Sequence, residues 1–379
     1  MTLQSAHAPL IGIAARTRKS PYFEATMRWG AKAFTVYNHM LMPLWYESPQ
    51  ADYWKLMTNV TMWDVAVERQ VEITGPDAAR LVQTMTPRNL SKCKVGQCKY
   101  VPIVAEDGGV INDPVLLKLG ETHFWLSLAD SDVLLWARGL AHGLGLNVTI
   151  TEPDVSPLAI QGPRADEVAA RLLGDWVRDL RFFWFREFDL DGIPLLVARS
   201  GWSKQGGVEL YLRNGRFGTD LWERVAEAGK PFDIAPAAPS TIERIESGLL
   251  SWGNDVTLDD NPFEVGLGHY CDLDQEADFV GKAALRQIRA AGLTRKLVGV
   301  TMGEVEQPGT EHWWPLTDDS GERVGEVRSA TYSPRLQQMI GLAMVRIDKT
   351  AVHTPLTAHA PWGNALATIA AVPFAEKKF

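Results

Sequence analysis

A chain of 379 residues is longer than one apolar core usually serves and suits two or three domains. Its net charge of −8 repels phosphate backbones and argues against a nucleic-acid partner, while 46% apolar and 22% charged residues are ordinary for a soluble globular protein. Three cysteines, Cys93, Cys98 and Cys271, are too few and odd in number for a disulfide framework and suit a reducing compartment. No apolar run approaches the roughly 20 residues a bilayer span needs. The N-terminus has one short apolar run with no charged region before it, so no signal peptide is expected and the location implied is cytoplasmic.

The first twenty or so residues lack periodicity and read as a loose tail. Ala66 to Thr74 alternates apolar and polar residues as a strand does. Gly75-Pro76-Asp77 then opens a helix that Pro87 stops. Strands are expected over 97–104, 110–119 and 122–129, with Glu106-Asp107-Gly108-Gly109 as a turn. Asp130 or Ser131 is placed to cap a helix running from there to about Leu144, and 147–152 is strand-like. This β-α-β-β-β-α-β order is the ferredoxin-like arrangement. A similar order starts at Pro157: a strand, a helix from Arg164, strands near 181–190, 193–200 and 206–213, then a helix from Phe217. The two units imply a duplicated or nested architecture, although no sequence repeat stands out. A helix capped by Ser240 is expected to reach Trp252, and another follows Gly281 to about Ala291. From Arg295 the chain is rich in strands and turns, as a small β-barrel or sandwich would be. The expected division is 1–65 with 155–293, then 66–154, then 294–379.

Short catalytic signatures are absent. There is no phosphate-binding P-loop, no dinucleotide-binding glycine pattern after a strand and no nucleophile elbow. Cys93 and Cys98 have no matching ligand pair downstream, so no metal site is expected. Asp113 interrupts the apolar run VINDPVLLKL, and a buried carboxylate needs partners or a task. The plainer reading is a turn acid beside Pro114. Trp202 lies in a turn rich in glycine and serine, where core packing is a weak explanation. Of the 14 tryptophans, one or two are available to face a cation.

Five segments carry more than packing explains: VYNHMLMP from Val36, GGVINDPVLLKL from Gly108, ARSGWSKQGGVELYL from Ala198, IERIESGLLSWGND from Ile242 and GEVRSATYSPRL from Gly325. With the GPDA turn at Gly75, the QGP turn at Gln161, the Arg199 to Glu209 stretch, the Arg244 to Gly248 helix and the Pro262 to Leu267 turn, they resemble the glycine-cleavage T-protein family of folate-dependent aminomethyltransferases. The resemblance is collinear from about Gly30 to Ile347. TVYNHMLMP, WDVAVERQVEI, INDPV and ARSGWSKQGG are more similar to the branch of that family that demethylates dimethylsulfoniopropionate. Residues 301–322 and 348–379 match poorly.

The resemblance implies an α+β fold: a three-domain cloverleaf with ferredoxin-like units, a C-terminal barrel and folate in a central channel. It implies tetrahydrofolate as methyl acceptor and a small charged methyl donor, with no metal, nucleic acid or membrane. A homodimer is left open. Glu209 is the implied anchor of the pterin edge, with a solvent-facing strand acid as the alternative; Arg244, Tyr100, Val115 and Ser127 are also implied on the cofactor, with ordinary core packing as the alternative for Tyr100 and Val115. For Arg244 the alternative is a structural ion pair with Glu243 or Glu246. Asp113 is the implied catalytic carboxylate. Trp202 is placed to hold the donor cation and Lys204 to pair with the donor carboxylate or the folate tail. Tyr37 and Tyr211 complete an aromatic wall, with core packing as the alternative for each. Aminomethyl transfer from a lipoyl carrier, demethylation of another donor and folate binding without catalysis also remain open.

Overall fold

The computed structural model describes residues 13–374. A five-stranded antiparallel sheet runs in the order Thr149–Thr151, Gln70–Thr74, His123–Ser127, Val115–Gly120, Cys98–Tyr100. Helices Ala78–Met85 and Val133–Gly143 cover one face, where Val71, Ile73, Leu116, Phe124 and Leu126 form a core with Leu81 and Ala137. A six-stranded sheet runs in the order Phe185–Leu190, Ile193–Ala198, Gly207–Leu212, Ser156–Gln161, Thr61–Asp64, Ala235–Ala237. Helices Ala165–Leu173 and Gly218–Gly229 cover its outer face over Leu158, Ile160, Val208 and Leu210. Successive strand residues point to opposite faces. The alternate residues therefore face inward, and there the two sheets meet: Cys98, Leu117 and Trp125 pack on Leu196, Ala198 and Tyr211.

The two sheets share one strand order. Each unit's first strand has its last strand on one side and its fourth, third and second on the other, and Thr61–Asp64 is inserted only in the second sheet. The repeat does reach the sequence, at the turn before each first helix: Gly75-Pro76-Asp77-Ala78 and Gly162-Pro163-Arg164-Ala165. The two glycines have φ of +125° and +127°, and a Cβ would stand 2.7 Å from the Asn147 oxygen or 2.6 Å from the Asn59 oxygen. Only glycine fits both demands.

Several expected boundaries move. The strand expected from Ala66 begins at Gln70, because the Glu68 and Arg69 amides turn back onto the Val65 and Val67 oxygens. The strands expected over 97–104 and 110–119 each break in two. Ile103–Val104 and Val110–Asn112 form a separate ribbon, and the Val101 amide bonds the Pro114 oxygen at the break. The helix from Ser240 stops at Ser247, where Gly248 turns left-handed. Neither Asp130 nor Ser131 caps the helix Val133–Gly143. Residues 1–12 of the expected tail lie outside the described residues, but Arg18 bridges to Met40 and the Ser20 hydroxyl donates to Asp64 at 2.5 Å.

The third unit is a closed barrel of Arg295–Thr301, Gln338–Arg346, Arg323–Ser333, Trp314–Thr317, Pro355–Ala360 and Gly363–Ala370. It is held to the rest by buried carboxylates. Asp255 accepts from Arg244 at 2.7 Å and from the barrel residue Ser329. Asp260 accepts from Arg328 at 2.6 Å and pairs with Arg295. Glu246 accepts from Ser333, Arg335 and the Tyr53 hydroxyl. Each buried charge has a cation or several donors, which is what makes its burial tolerable.

Gly162→Ala should lower the midpoint of denaturant unfolding by an amount worth at least about 1–3 kcal/mol, the usual cost of such strain. Gly139→Ala, mid-helix with nothing within 4 Å of the added carbon, should raise it by about 0.5–1 kcal/mol.

Candidate active site

Strand register gathers the first wall. Tyr100 pairs with Val115, Val115 with Ser127, and Ser127 with Gln70. Directly paired residues share a face, so these four side chains form one row across the five-stranded sheet, on the face turned to the second sheet. A hairpin, Ala33–Tyr37 with Met40–Trp45, closes one side. Its turn residues Asn38 and His39 have φ of 49° and 61°, as a tight two-residue hairpin turn demands. The Asn38 amide group donates to the Val67 and Ala129 oxygens at 3.0 and 3.1 Å. Asn112 donates to the Ala129 oxygen at 3.1 Å and to Ser131 at 2.8 Å. Two asparagines thus grip one short loop and fix Tyr37 and Asp113, their chain neighbours. Neighbouring bonds explain the failed helix cap: Asp130 accepts the Asn38 backbone N–H, and Ser131 accepts the Asn112 side-chain amide.

Asp113 sits in the break between Val110–Asn112 and Val115–Gly120, beside Pro114, so its backbone is not part of one continuous strand. The carboxylate is nonetheless buried, 9% exposed, and accepts the Tyr100 hydroxyl at 2.5 Å. Burial pushes its pKa up to about 7, with Asp255 adding to the rise and the Tyr100 bond opposing it. Burial also pushes the Tyr37 phenol up, helped by the nearby charges of Asp113 and Glu68.

The second wall comes from the strand Gly207–Leu212. Glu209 lies between Ala198 and Ala159 on the neighbouring strands. These small residues leave its carboxylate a slot, where Ser200 donates to it and the Tyr211 hydroxyl donates at 3.3 Å. Glu68 is a residue the sequence reading missed. It ends the turn before Gln70, and the Ser127 hydroxyl donates to it at 3.4 Å. Burial, then the charge of Glu209, raises its pKa well above the carboxylate range, and burial raises Glu209 too. Neither acid has an Arg or Lys partner among the described residues. The available signal for Glu68 was an acid at the end of the apolar run WDVAVE.

Arg244 is held by Asp255 and by Ser329, the latter at 2.9 Å. It is thus in an ion pair, though not with either acid the sequence suggested. Its guanidinium also lies 6.0 Å from the Trp202 ring centroid. Glu243 instead accepts the Lys204 backbone amide at 3.0 Å and the Gln205 side chain at 3.1 Å, and Gln161 accepts Ser203 at 2.7 Å. These bonds pin the loop that carries Trp202 and Lys204. The Lys204 side chain is exposed. A cavity of about 600 Å³ lined by Gln83, Lys118 and Gln275 lies on the opposite, helical face of the five-stranded sheet. Gln83 and Lys118 there are already bonded within the protein, while Gln275 keeps one buried side-chain oxygen without a hydrogen bond.

The model of the GCVT N-terminal domain matches residues 22–275, and that of the glycine cleavage T-protein C-terminal barrel domain matches 295–375. The chain belongs to the glycine-cleavage T-protein family. It is 44% identical over 354 residues to "Dimethylsulfoniopropionate demethylase DmdA" of Ruegeria pomeroyi, covering 93% of this chain and 96% of that protein. Aminomethyltransferases of Bacillus cytotoxicus and Bacillus cereus are 29% and 30% identical, over 95% of this chain and 98% of theirs. The crystal structure of glycine cleavage system aminomethyltransferase T from Bartonella henselae superposes with a TM-score of 0.86 over 96% of this chain and 99% of that one, at 22% identity. That likeness confirms the family's fold, including the barrel. No described helix is long and apolar enough to cross a membrane.

A carboxyl whose folded pKa stands above its unfolded value keeps a proton the unfolded chain has lost. Its burial therefore costs stability as pH rises from about 4 to about 7, and the cost stays constant above. For Asp113 it is on the order of 4 kcal/mol at most. Asp113→Asn should accordingly raise the thermal midpoint of the ligand-free protein at pH 8, and the gain should shrink towards zero near pH 4.

Proposed function

We propose that this protein is a cytoplasmic, tetrahydrofolate-dependent demethylase that moves a methyl group from dimethylsulfoniopropionate to N5 of tetrahydrofolate. The products are methylmercaptopropionate and 5-methyltetrahydrofolate. The observation that carries the reading is a set of buried acids on the inner side of the two sheets, Asp113 and Glu209, with no cation partner among the described residues. The full-length identity to a demethylase of that donor supports the choice of substrate.

These groups suit a folate. A pterin presents a row of N–H donors along one edge, and Glu209 is an acceptor without an ion-pair partner. Gln70, in the row of Ser127, has a buried side-chain oxygen with no hydrogen bond. Tetrahydrofolate supplies the nucleophile, the lone pair of N5. Glu209 holds the pterin edge with charge-assisted hydrogen bonds. Tyr100, Val115 and Ser127 line the slot, and Arg244 shapes its far side from its ion pair with Asp255.

The leaving thioether is neutral, so the chain need supply no general acid. Its task is alignment of nitrogen, methyl carbon and sulfur in one line. Positive charge shifts from sulfur to nitrogen, and anionic Asp113 stabilises it at both ends. The Asp113 carboxylate then takes the proton shed by the methylated nitrogen. Trp202 offers the donor the ring face that Arg244 leaves free, with Tyr37 as the rest of the wall; Tyr211 is fully buried in the core between the sheets, so packing is its role. Lys204 meets the donor carboxylate. We divide the chain into 1–65 with 155–293, 66–154, and 294–379; three apolar cores support three units, with Ala66 and Val67 packed in the core of the first.

Purified protein with tetrahydrofolate and dimethylsulfoniopropionate should yield 5-methyltetrahydrofolate and methylmercaptopropionate in equal amounts. Absence of both products would remove the donor. Asp113→Asn should still bind folate and lose roughly a hundredfold or more in kcat. Trp202→Ala should raise KM for the donor by roughly tenfold with a much smaller effect on folate; equal losses would make it a structural residue. Tyr100→Phe removes the bond that lowers the Asp113 pKa. It should move the acidic limb of kcat/KM, near pH 7 in the parent, to higher pH.

A further inference from the structure

Arg88 is a half-buried cation that pairs with no carboxylate among the described residues. It makes two contacts instead. Its Nη1 donates to the Tyr100 main-chain oxygen at 2.5 Å, and its guanidinium carbon lies 4.7 Å from the centroid of the Tyr270 ring. The Tyr270 ring stands edge-on to the Tyr100 ring, with centroids 5.2 Å apart and planes at 70°. Both flanks of this arrangement are held. The Pro87 oxygen accepts the Asp272 backbone N–H at 3.0 Å and the Gln275 side chain at 2.8 Å, and the Asn89 side chain donates to Asp272 at 3.0 Å. The Thr86 hydroxyl donates to the Pro102 oxygen, two residues beyond Tyr100, at 2.6 Å. The short helical turn Gly268–Tyr270 and the segment that follows the helix Ala78–Met85 therefore meet at Tyr100.

Tyr100 needs such support. It is the last residue of Cys98–Tyr100, a three-residue strand at the edge of its sheet, and the ladder breaks just after it. Register sets the face its side chain takes, but a ring at a strand end still has more than one staggered direction open to it. The direction observed brings the hydroxyl to Asp113, where it donates at 2.5 Å. We propose that Arg88 and Tyr270 are positioning residues, which clamp Tyr100 at its main-chain oxygen and at its ring so that its hydroxyl stays on the Asp113 carboxylate. The effect on rate rests on the methyl-transfer reading above; the clamp itself rests on the contacts alone. A cation over a ring and one ring edge-on to another are both favourable arrangements. Neither Arg88 nor Tyr270 has a hydrogen bond to Asp113, so both act through Tyr100. The titratable groups that face Asp113 are Tyr100 from the five-stranded sheet, Tyr37 from the hairpin and Asp255 from the loop after the helix Thr241–Ser247. The Tyr100 bond favours the carboxylate, while burial and Asp255 oppose it. With Tyr100 released, Asp113 would keep its proton to higher pH.

The clamp is tested first without ligand. Infrared titration of the ligand-free protein follows the protonated-carboxyl band that Asp113→Asn removes. Tyr270→Ala should move the midpoint of that band upward by about one pH unit, as expected when a carboxylate loses a hydrogen bond. Tyr270→Phe keeps the ring and should titrate with the parent. Arg88→Ala should move the midpoint in the same direction as Tyr270→Ala. In a Tyr100→Phe background the bond is already absent, so neither Tyr270→Ala nor Arg88→Ala should move the midpoint further. A shift that survives in that background would come from lost charge or altered solvation and would overturn the clamp. A midpoint left unmoved by either single variant would overturn it too. If Tyr270→Ala does not fold, Tyr270→Leu, which fills the space without an aromatic edge, takes its place with the same expectation. With tetrahydrofolate and dimethylsulfoniopropionate, the acidic limb of kcat/KM should follow the infrared midpoints across the variants. A limb that stays in place while the midpoints move would refute the positioning role in the reaction. Absence of turnover in the parent would instead sink the donor reading, with the infrared midpoints still deciding the clamp.

Discussion

The structure turns on how it treats buried carboxylates. One set, Asp255, Asp260 and Glu246, is saturated by Arg244, Arg328, Arg295, Arg335 and serine hydroxyls. The other set, Asp113, Glu68 and Glu209, has only phenols and hydroxyls. The first set fastens the barrel to the two-sheet body. The second lies on the inner side of the two sheets and costs stability, because burial without a cation favours the protonated form. A site that is unsatisfied alone and satisfied by a ligand is what a binding function demands, and the outer cores under four helices supply the stability that makes the cost tolerable.

The two sets are joined at Asp255. It fixes Arg244 on one side and the barrel residue Ser329 on the other, and its charge reaches Asp113. Arg244 in turn lies against Trp202. The barrel, distant in sequence from the cleft, therefore helps set the position of the ring proposed to face the donor. Glu243, one residue before Arg244, holds the other end of the same loop. A short helix of seven residues, Thr241–Ser247, thus serves as the brace between barrel and loop.

Legibility followed periodicity. The alternation of Gly207–Leu212 put Glu209 on the face opposite Val208 and Leu210, as the structure does, and Asp113 stood out as a charge in an apolar run and is buried. The breaks were hidden, because pairing partners rather than local pattern decide that Ile103–Val104 leaves one ribbon for another. Glu68 was hidden for a related reason. Alternation assigned it to a strand, whereas it ends a turn, and a turn residue's direction is set by the bonds at Val65 and Val67. The partner of Arg244 could not be read from helical spacing, since Asp255 lies beyond the helix and Ser329 comes from the barrel.

The duplicated strand order explains why the site lies between sheets and not at the end of either. In each unit the helices take one face, so the inner faces must bury each other, and they do so where residues are apolar: Leu117, Trp125, Leu196 and Ala198. Where the rows turn polar, at Ser127 and Gln70 on one side and Glu209 on the other, close contact would strand acids and amides without water. Those rows leave carboxylates and an unbonded amide oxygen, and under the proposed function the donor-rich edge of a pterin is what would satisfy them.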